Sequence, residues 1–134
     1  MTDLIGPRTR EAVVQAPPDD REAVLQATQV HAREVCSSVW SSTVDPDQIT
    51  WVWNNRFTSA AGRYTPRTKR DGPRIEVAWG YYSLHGWLEY LKVVRHELIH
   101  AWQDFHPDGG RVGHGPKFKQ WIEDLNTHRH CKHW

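Results

Sequence analysis

The spacing of apolar residues changes period along the chain, and each change marks an element. From Arg21 to about Ser42, Leu25, Ala32, Val35, Cys36 and Val39 recur at helical spacing against a polar remainder, which predicts an amphipathic helix. Asp19 or Asp20 is placed to cap its start. "DPD" at 45 to 47 breaks that pattern, and "QITWVWNN" then alternates Ile49, Trp51 and Trp53 with Thr50, Val52 and Asn54, the period of a strand. A second strand is expected across "RFTSAAGRY" and a third in "RIEVAW", where Ile75, Val77 and Trp79 share a face. The Pro, Asp and Gly punctuation of "TPRTKRDGP" between them suggests an exposed hairpin loop.

After Gly80 the period returns to that of a helix. From Trp87 to Phe105, Leu91, Val94, Leu98, Ala101, Trp102 and Phe105 fall on one face. "HPDGGRVGHG" is too glycine-rich to continue it, and a last helix is expected from Pro116, with Phe118, Trp121, Ile122 and Leu125 as its buried stripe. Proline is harmless at a helix start, where its missing N–H would have had no partner. The order predicts an α+β domain over residues 19–127 with a three-stranded, mostly antiparallel sheet. Residues 1–18, polar and proline-punctuated, are expected as a flexible tail, and residues 128–134 as a C-terminal tail.

Composition narrows the class. A chain of 134 residues can build one modest core, and eight tryptophans supply much of its apolar volume although only 38% of residues are hydrophobic. With a formal net charge of +1, no global field draws it to nucleic acid or an anionic membrane, so any such attraction must be local. Cys36 and Cys131 match neither a disulfide framework nor a CxxC metal knuckle, so a reducing, cytoplasmic location is expected. The N-terminus has no apolar h-region and no apolar run approaches the ~20 residues of a membrane span, so neither secretion nor membrane insertion is expected.

The candidate chemistry lies in "VVRHELIHAW", residues 93–102. His96 and His100 are one helical turn apart, so both imidazoles leave the same face and can meet one ion. Glu97, beside the first, can take a proton from a water that zinc has acidified, which makes HExxH a code for both ion and base. The competing reading is a helix that happens to carry a pair of imidazoles. Against it, Leu98, Ile99 and Ala101 bury the surrounding helix, where His and Glu are costly unless paired or coordinated. A hydrolytic site needs a third ligand, for which His106 and His114 are candidates. His106 stands six residues past His100, but Gln103 replaces the glycine that would turn the chain out of the helix. His114 follows a flexible loop and precedes a proline-started helix, and is favoured.

"VVRHELIHAW" followed by "GHGPKFKQWIEDL" resembles the SprT-like metalloprotease family, which includes the DNA–protein crosslink protease Spartan. The likeness extends more weakly back through "RIEVAW" and "AAGRY" to the first helix, covering about residues 20 to 127. It implies zinc on His96, His100 and His114, Glu97 as general base, a minimal zincin-like fold, and hydrolysis of peptide bonds near DNA. Two departures stand out: Lys117 occupies a position that is acidic in many relatives, and the zinc ribbon that follows the protease domain in several of them is not expected here. "HRHCKHW" at the end, with His128, His130, Cys131 and His133, reads as a solvated tail more readily than as a second metal site.

Between Arg56 and Arg74 the chain carries Arg56, Arg63, Arg67, Lys69, Arg70 and Arg74 against Asp71 alone, a loop able to grip phosphates. Trp51 and Trp53 are candidates for stacking exposed bases of a single strand. The bland alternatives are a solvated loop and a pair of core tryptophans. The combined expectation is a monomeric, zinc-dependent endopeptidase acting on DNA-bound or DNA-crosslinked proteins, with single-stranded DNA as a partner. The rival is a non-catalytic, zinc-stabilised DNA-binding adaptor in transcription or repair, and a lesser one is a peptidase indifferent to nucleic acid.

Overall fold

The computed structural model describes residues 4–129. The Asp20 side chain accepts from the Ala23 N–H at 3.1 Å and so caps α2 (Arg21–Trp40), a contact worth about 1 kcal/mol. Val24, Ala27, Ala32, Val35, Cys36 and Trp40 form its buried face. A short 3-10 turn at Pro46–Gln48 leads into β1 (Thr50–Trp53). β2 (Gly62–Thr65) and β3 (Arg74–Val77) complete a three-stranded sheet. Its order is β1-β3-β2, with β3 central, parallel to β1 and antiparallel to β2. The α+β class and three strands agree with the sequence, but the pairing is mixed, one of each sense, rather than mostly antiparallel. The cause is that β2 and β3 form the hairpin while β1 lies on β3's other edge, where it runs the same way.

Two helical elements differ in length from what periodicity gave. α3 runs from Trp79 to Phe105 and contains a break at Gly86, whose φ of 81° is a conformation that side-chain-bearing residues rarely adopt. The piece before the break packs Tyr81 and Tyr82 into the core. In the other direction, the expected C-terminal helix is only one regular turn, α4 (Pro116–Lys119), followed by irregular turns that still bury Phe118 and Leu125.

The N-terminal tail needs correction. Residues Pro7–Gln15, expected to be flexible, form a helix, α1, packed on α2. Its first turn has no local side-chain cap; instead Glu34, from the middle of α2, accepts from the N–H groups of Arg8 and Thr9 at 3.1 Å and from the Thr9 hydroxyl at 2.6 Å. A carboxylate at a helix N-terminus satisfies free donors and opposes the helix dipole. Because that carboxylate is 25 residues away from Thr9, the cap has no local signal in the sequence, although Pro7 stands at the helix start.

Candidate metal centre

α3 presents His96 and His100 on its buried face, and the loop after it returns His114 to the same place. That return depends on close packing. Gly109 lies against the backbone of Gln103, where a Cβ would fall 2.2 Å from the Gln103 carbonyl oxygen. Gln103 then holds the loop with its side chain, its Nε2 donating to the Arg111 carbonyl at 3.2 Å and its Oε1 accepting from the Gly113 N–H at 3.3 Å. The amide orientation is thereby set, so the 2.9 Å contact between Gln103 Oε1 and His100 Nδ1 must be a bond donated by His100. On the other ligand, His96 Nδ1 donates to the backbone carbonyl of His128 at 2.6 Å. Both rings therefore carry their proton on Nδ1 and turn an unprotonated Nε2 inward.

His114 Nε2 lies 3.1 Å from that of His96 and 3.2 Å from that of His100. Nitrogens bound to one tetrahedral zinc at about 2.0–2.1 Å stand roughly 3.4 Å apart, so the triangle has the size the ion requires. A divalent cation at the centre of the triangle would be met by three imidazole nitrogens. Phe118, fully buried, packs against all three imidazoles at centroid distances of 4.7–4.9 Å and forms one wall. Burial pushes His96 down to about 3 and His100 to about 4, in each case against the raising effect of the hydrogen bond on Nδ1. Both are neutral near pH 7, the form that binds metal.

Glu97 is buried beside the cluster, its Oε2 3.9 Å from His96 Nε2. The start of β2 presses on it: a Cβ on Gly62 would fall 3.2 Å from the Glu97 carboxylate and 3.0 Å from Val93. Glycine at 62 thus brings the edge strand to the face of α3 that carries the carboxylate.

His106 caps the end of α3, accepts from the Asp108 N–H through Nδ1 at 3.0 Å and stacks on Trp102. It lines, with Trp40, Trp102 and Trp121, a groove that contains none of the three clustered histidines. The basic stretch is less free than its composition suggests. Glu76, missed as a partner, takes Arg63 Nε at 2.7 Å and Arg74 Nη2 at 3.0 Å. Asp104 accepts from the Arg67 N–H and the Tyr64 hydroxyl, while the Arg67 guanidinium reaches the Asp104 carbonyl and covers the Phe105 ring. Lys69 and Arg70 stand exposed at the loop tip, and Arg56 is exposed beside the sheet.

The two tryptophans are also placed differently from the stacking expectation. Trp51 belongs to the core and donates its indole N–H to the Pro46 carbonyl, leaving no face for a base. Trp53 is half-buried among Trp79, Tyr82 and Tyr90, with its N–H on the Arg21 carbonyl. Alternation along a strand says which residues share a face but not which element covers it. Of the C-terminal tail, His130, Cys131 and His133 lie outside the described residues.

Gln103 and the His128 carbonyl were not singled out from the sequence. Gln103 was detectable, since it stands three residues after His100 and so faces the same way. The carbonyl was not, because any residue supplies one.

Comparison with known proteins identifies the family. The SprT-like family matches residues 26–133. The chain belongs to the SprT-like family. Curated relatives named Protein SprT-like include one from Bacillus cereus, 32% identical over 82 residues, which are 60% of this chain and 50% of the relative. Another from Bacillus anthracis is 30% identical over 82 residues with the same coverage, 60% and 50%. The SprT-like chain thus spans about half the length of the curated relatives it matches. No solved structure matches it. Among the described residues, no helix is long and apolar enough to cross a membrane.

Proposed function

We propose that this chain is a zinc-dependent endopeptidase acting on proteins bound to, or crosslinked with, DNA. The observation that carries the reading is the convergence of three imidazole Nε2 atoms beside one buried carboxylate, Glu97. His96, His100 and His114 would hold the ion. Zinc there supplies Lewis acidity, polarising a carbonyl and lowering the pKa of water toward ~7. Glu97 acts as general base, taking the proton of the attacking water and returning it to the leaving amine. Gln103 and the His128 carbonyl keep the ligand rings in the metal-binding tautomer. Among the described residues three protein ligands rather than four converge, which favours a hydrolytic site over a closed structural one.

The DNA part of the reading is supported by the exposed cations Lys69, Arg70 and Arg56, with Arg63 half-exposed beside them. DNA would act as a tether that concentrates protein substrates rather than as a sequence to be read. The test is casein or histone degradation with and without single-stranded DNA. Cleavage that is stimulated by the strand and stopped by a chelator is the expected result. No cleavage by the zinc-loaded chain would favour the adaptor, and cleavage indifferent to DNA would favour a general peptidase.

A further inference from the structure

Behind the metal ligands runs a buried polar chain that the proposed chemistry does not use. Arg95, the residue before His96, is 3% exposed. Its Nε donates to the Leu125 carbonyl at 2.7 Å, its Nη2 to the Asn126 carbonyl at 3.4 Å, and its Nη1 meets His31 Nε2 at 3.1 Å. Arginine can only donate, so His31 accepts on Nε2 and carries its proton on Nδ1, which faces the Thr9 hydroxyl at 3.1 Å. Thr9 in turn donates to Glu34. Among the described residues no carboxylate forms an ion pair with Arg95. A buried guanidinium without one costs several kcal/mol, so an apolar side chain would serve better if filling space were all the position required.

What the guanidinium holds is the segment after α4. Leu125 and Asn126 lie in irregular backbone, with Asn126 at a φ of 45°. Immediately after them Thr127 donates its hydroxyl to the Lys92 carbonyl, one turn before His96, and the next carbonyl, that of His128, is the acceptor for His96 Nδ1. Gripping consecutive carbonyls fixes this segment along the helix as well as against it, which apolar contacts alone would leave free to slide. Arg95 and Thr127 thus fasten residues 125–127, and the next carbonyl along meets the ligand.

We propose that Arg95 is a positioning residue for the metal centre: by fastening residues 125–128 along α3 it holds the His128 carbonyl against His96 Nδ1 and commits Nε2 of His96 to the cation. The inference rests on the zinc reading above for its purpose, but its geometry is a property of the metal-free chain and is tested there. Outer partners of metal-bound histidines typically matter by 10- to 100-fold in affinity.

The experiment is long-range proton–nitrogen NMR of the imidazoles in the full-length, metal-free protein, paired with zinc affinity from chelator competition. In the wild type, His96 is expected as a single Nδ1–H tautomer. Arg95→Met is expected to give a mixture of tautomers at His96 and zinc binding weakened about 10- to 100-fold. Arg95→Lys, which keeps the charge but cannot span both carbonyls and His31, should recover only part of each. Thr127→Val, removing the second fastening, should shift His96 the same way by less. Gln103→Ala should disturb His100 and leave His96 unchanged. If Arg95→Met does not fold, Arg95→Lys and Thr127→Val decide the matter. A His96 that stays in one tautomer, with zinc affinity unchanged, in the folded Arg95 and Thr127 variants would overturn the proposal. Failure of the wild type to bind zinc would instead sink the zinc reading, while the tautomers still report on Arg95.

Discussion

The helix that carries HELIH and the hairpin that carries the arginines are both dense in chemistry, yet the fold treats them in opposite ways. On α3, side chains that would be costly to bury are brought inside and aimed at one point, with Gln103 and the His128 carbonyl setting their protons. On the β2–β3 hairpin, Arg63, Arg67 and Arg74 stay near the surface and are each taken up by an acid, Glu76 or Asp104. Clustering in sequence therefore has two meanings. In a regular helix it is a geometry, because four residues make one turn; in a hairpin it is only a charge count, because the partners arrive from elsewhere.

The contrast can be broken or sharpened by substitution. The largest effect is expected at Glu97: Glu97→Gln should retain zinc and lower peptide hydrolysis by about 10²–10⁴-fold, the usual contribution of a general base. Turnover unchanged in that variant would remove Glu97 from the mechanism. Next, His114→Ala should lose stoichiometric zinc on gel filtration while His106→Ala keeps it, read by metal analysis; the reverse would exchange their roles.

Acid should act on the buried histidines. His31, held down to about 3 by burial and then by Arg95, is neutral in the fold but takes a proton at its ordinary value near 6.5 when unfolded. The unfolded chain binds more protons in that interval, so stability is full above pH 6.5 and falls as pH drops toward 3, by about 1.4 kcal/mol per pH unit for this one group. His96 and His100 act in the same direction in metal-free protein. Denaturant melts of that protein between pH 7 and 5 test the slope, and a flat profile would contradict it.

Smaller effects belong to the hairpin. Glu76→Gln should cost about 1–2 kcal/mol, since charge-assisted bonds to Arg63 and Arg74 are weakened at a carboxylate that is itself buried. By freeing those cations it should also strengthen binding to single-stranded DNA, measurable by fluorescence anisotropy. Reversing Lys69 and Arg70 to Glu should leave stability within about 0.5 kcal/mol, as for most surface changes. It should weaken DNA binding and flatten its salt dependence. Binding insensitive to both changes would place the contact elsewhere.

The same distinction explains what could be read from the sequence. α2, β1, β3 and the long part of α3 follow from periodicity, since each buries a face that repeats at its own pitch. Convergence of His96 with His100 follows from helical spacing, while the return of His114 depends on Gly109 packing and the Gln103 amide, neither of which has a periodic signal. α1 was missed because its cap comes from Glu34, and the parallel partner of β3 because pairing is chosen by the whole sheet. Trp51 and Trp53 misled for the same reason: their alternation is plain, but the neighbours that cover them are distant in sequence.

Glu34 also has a bearing on how this molecule is handled. Trimming to Asp19, the boundary that composition suggests, would discard Thr9 and leave the Nδ1–H of His31 to whatever water can enter. Such a shortened product would retain His96, His100 and His114 and still be loosened from behind, so the first eighteen residues should travel with any version made for assay.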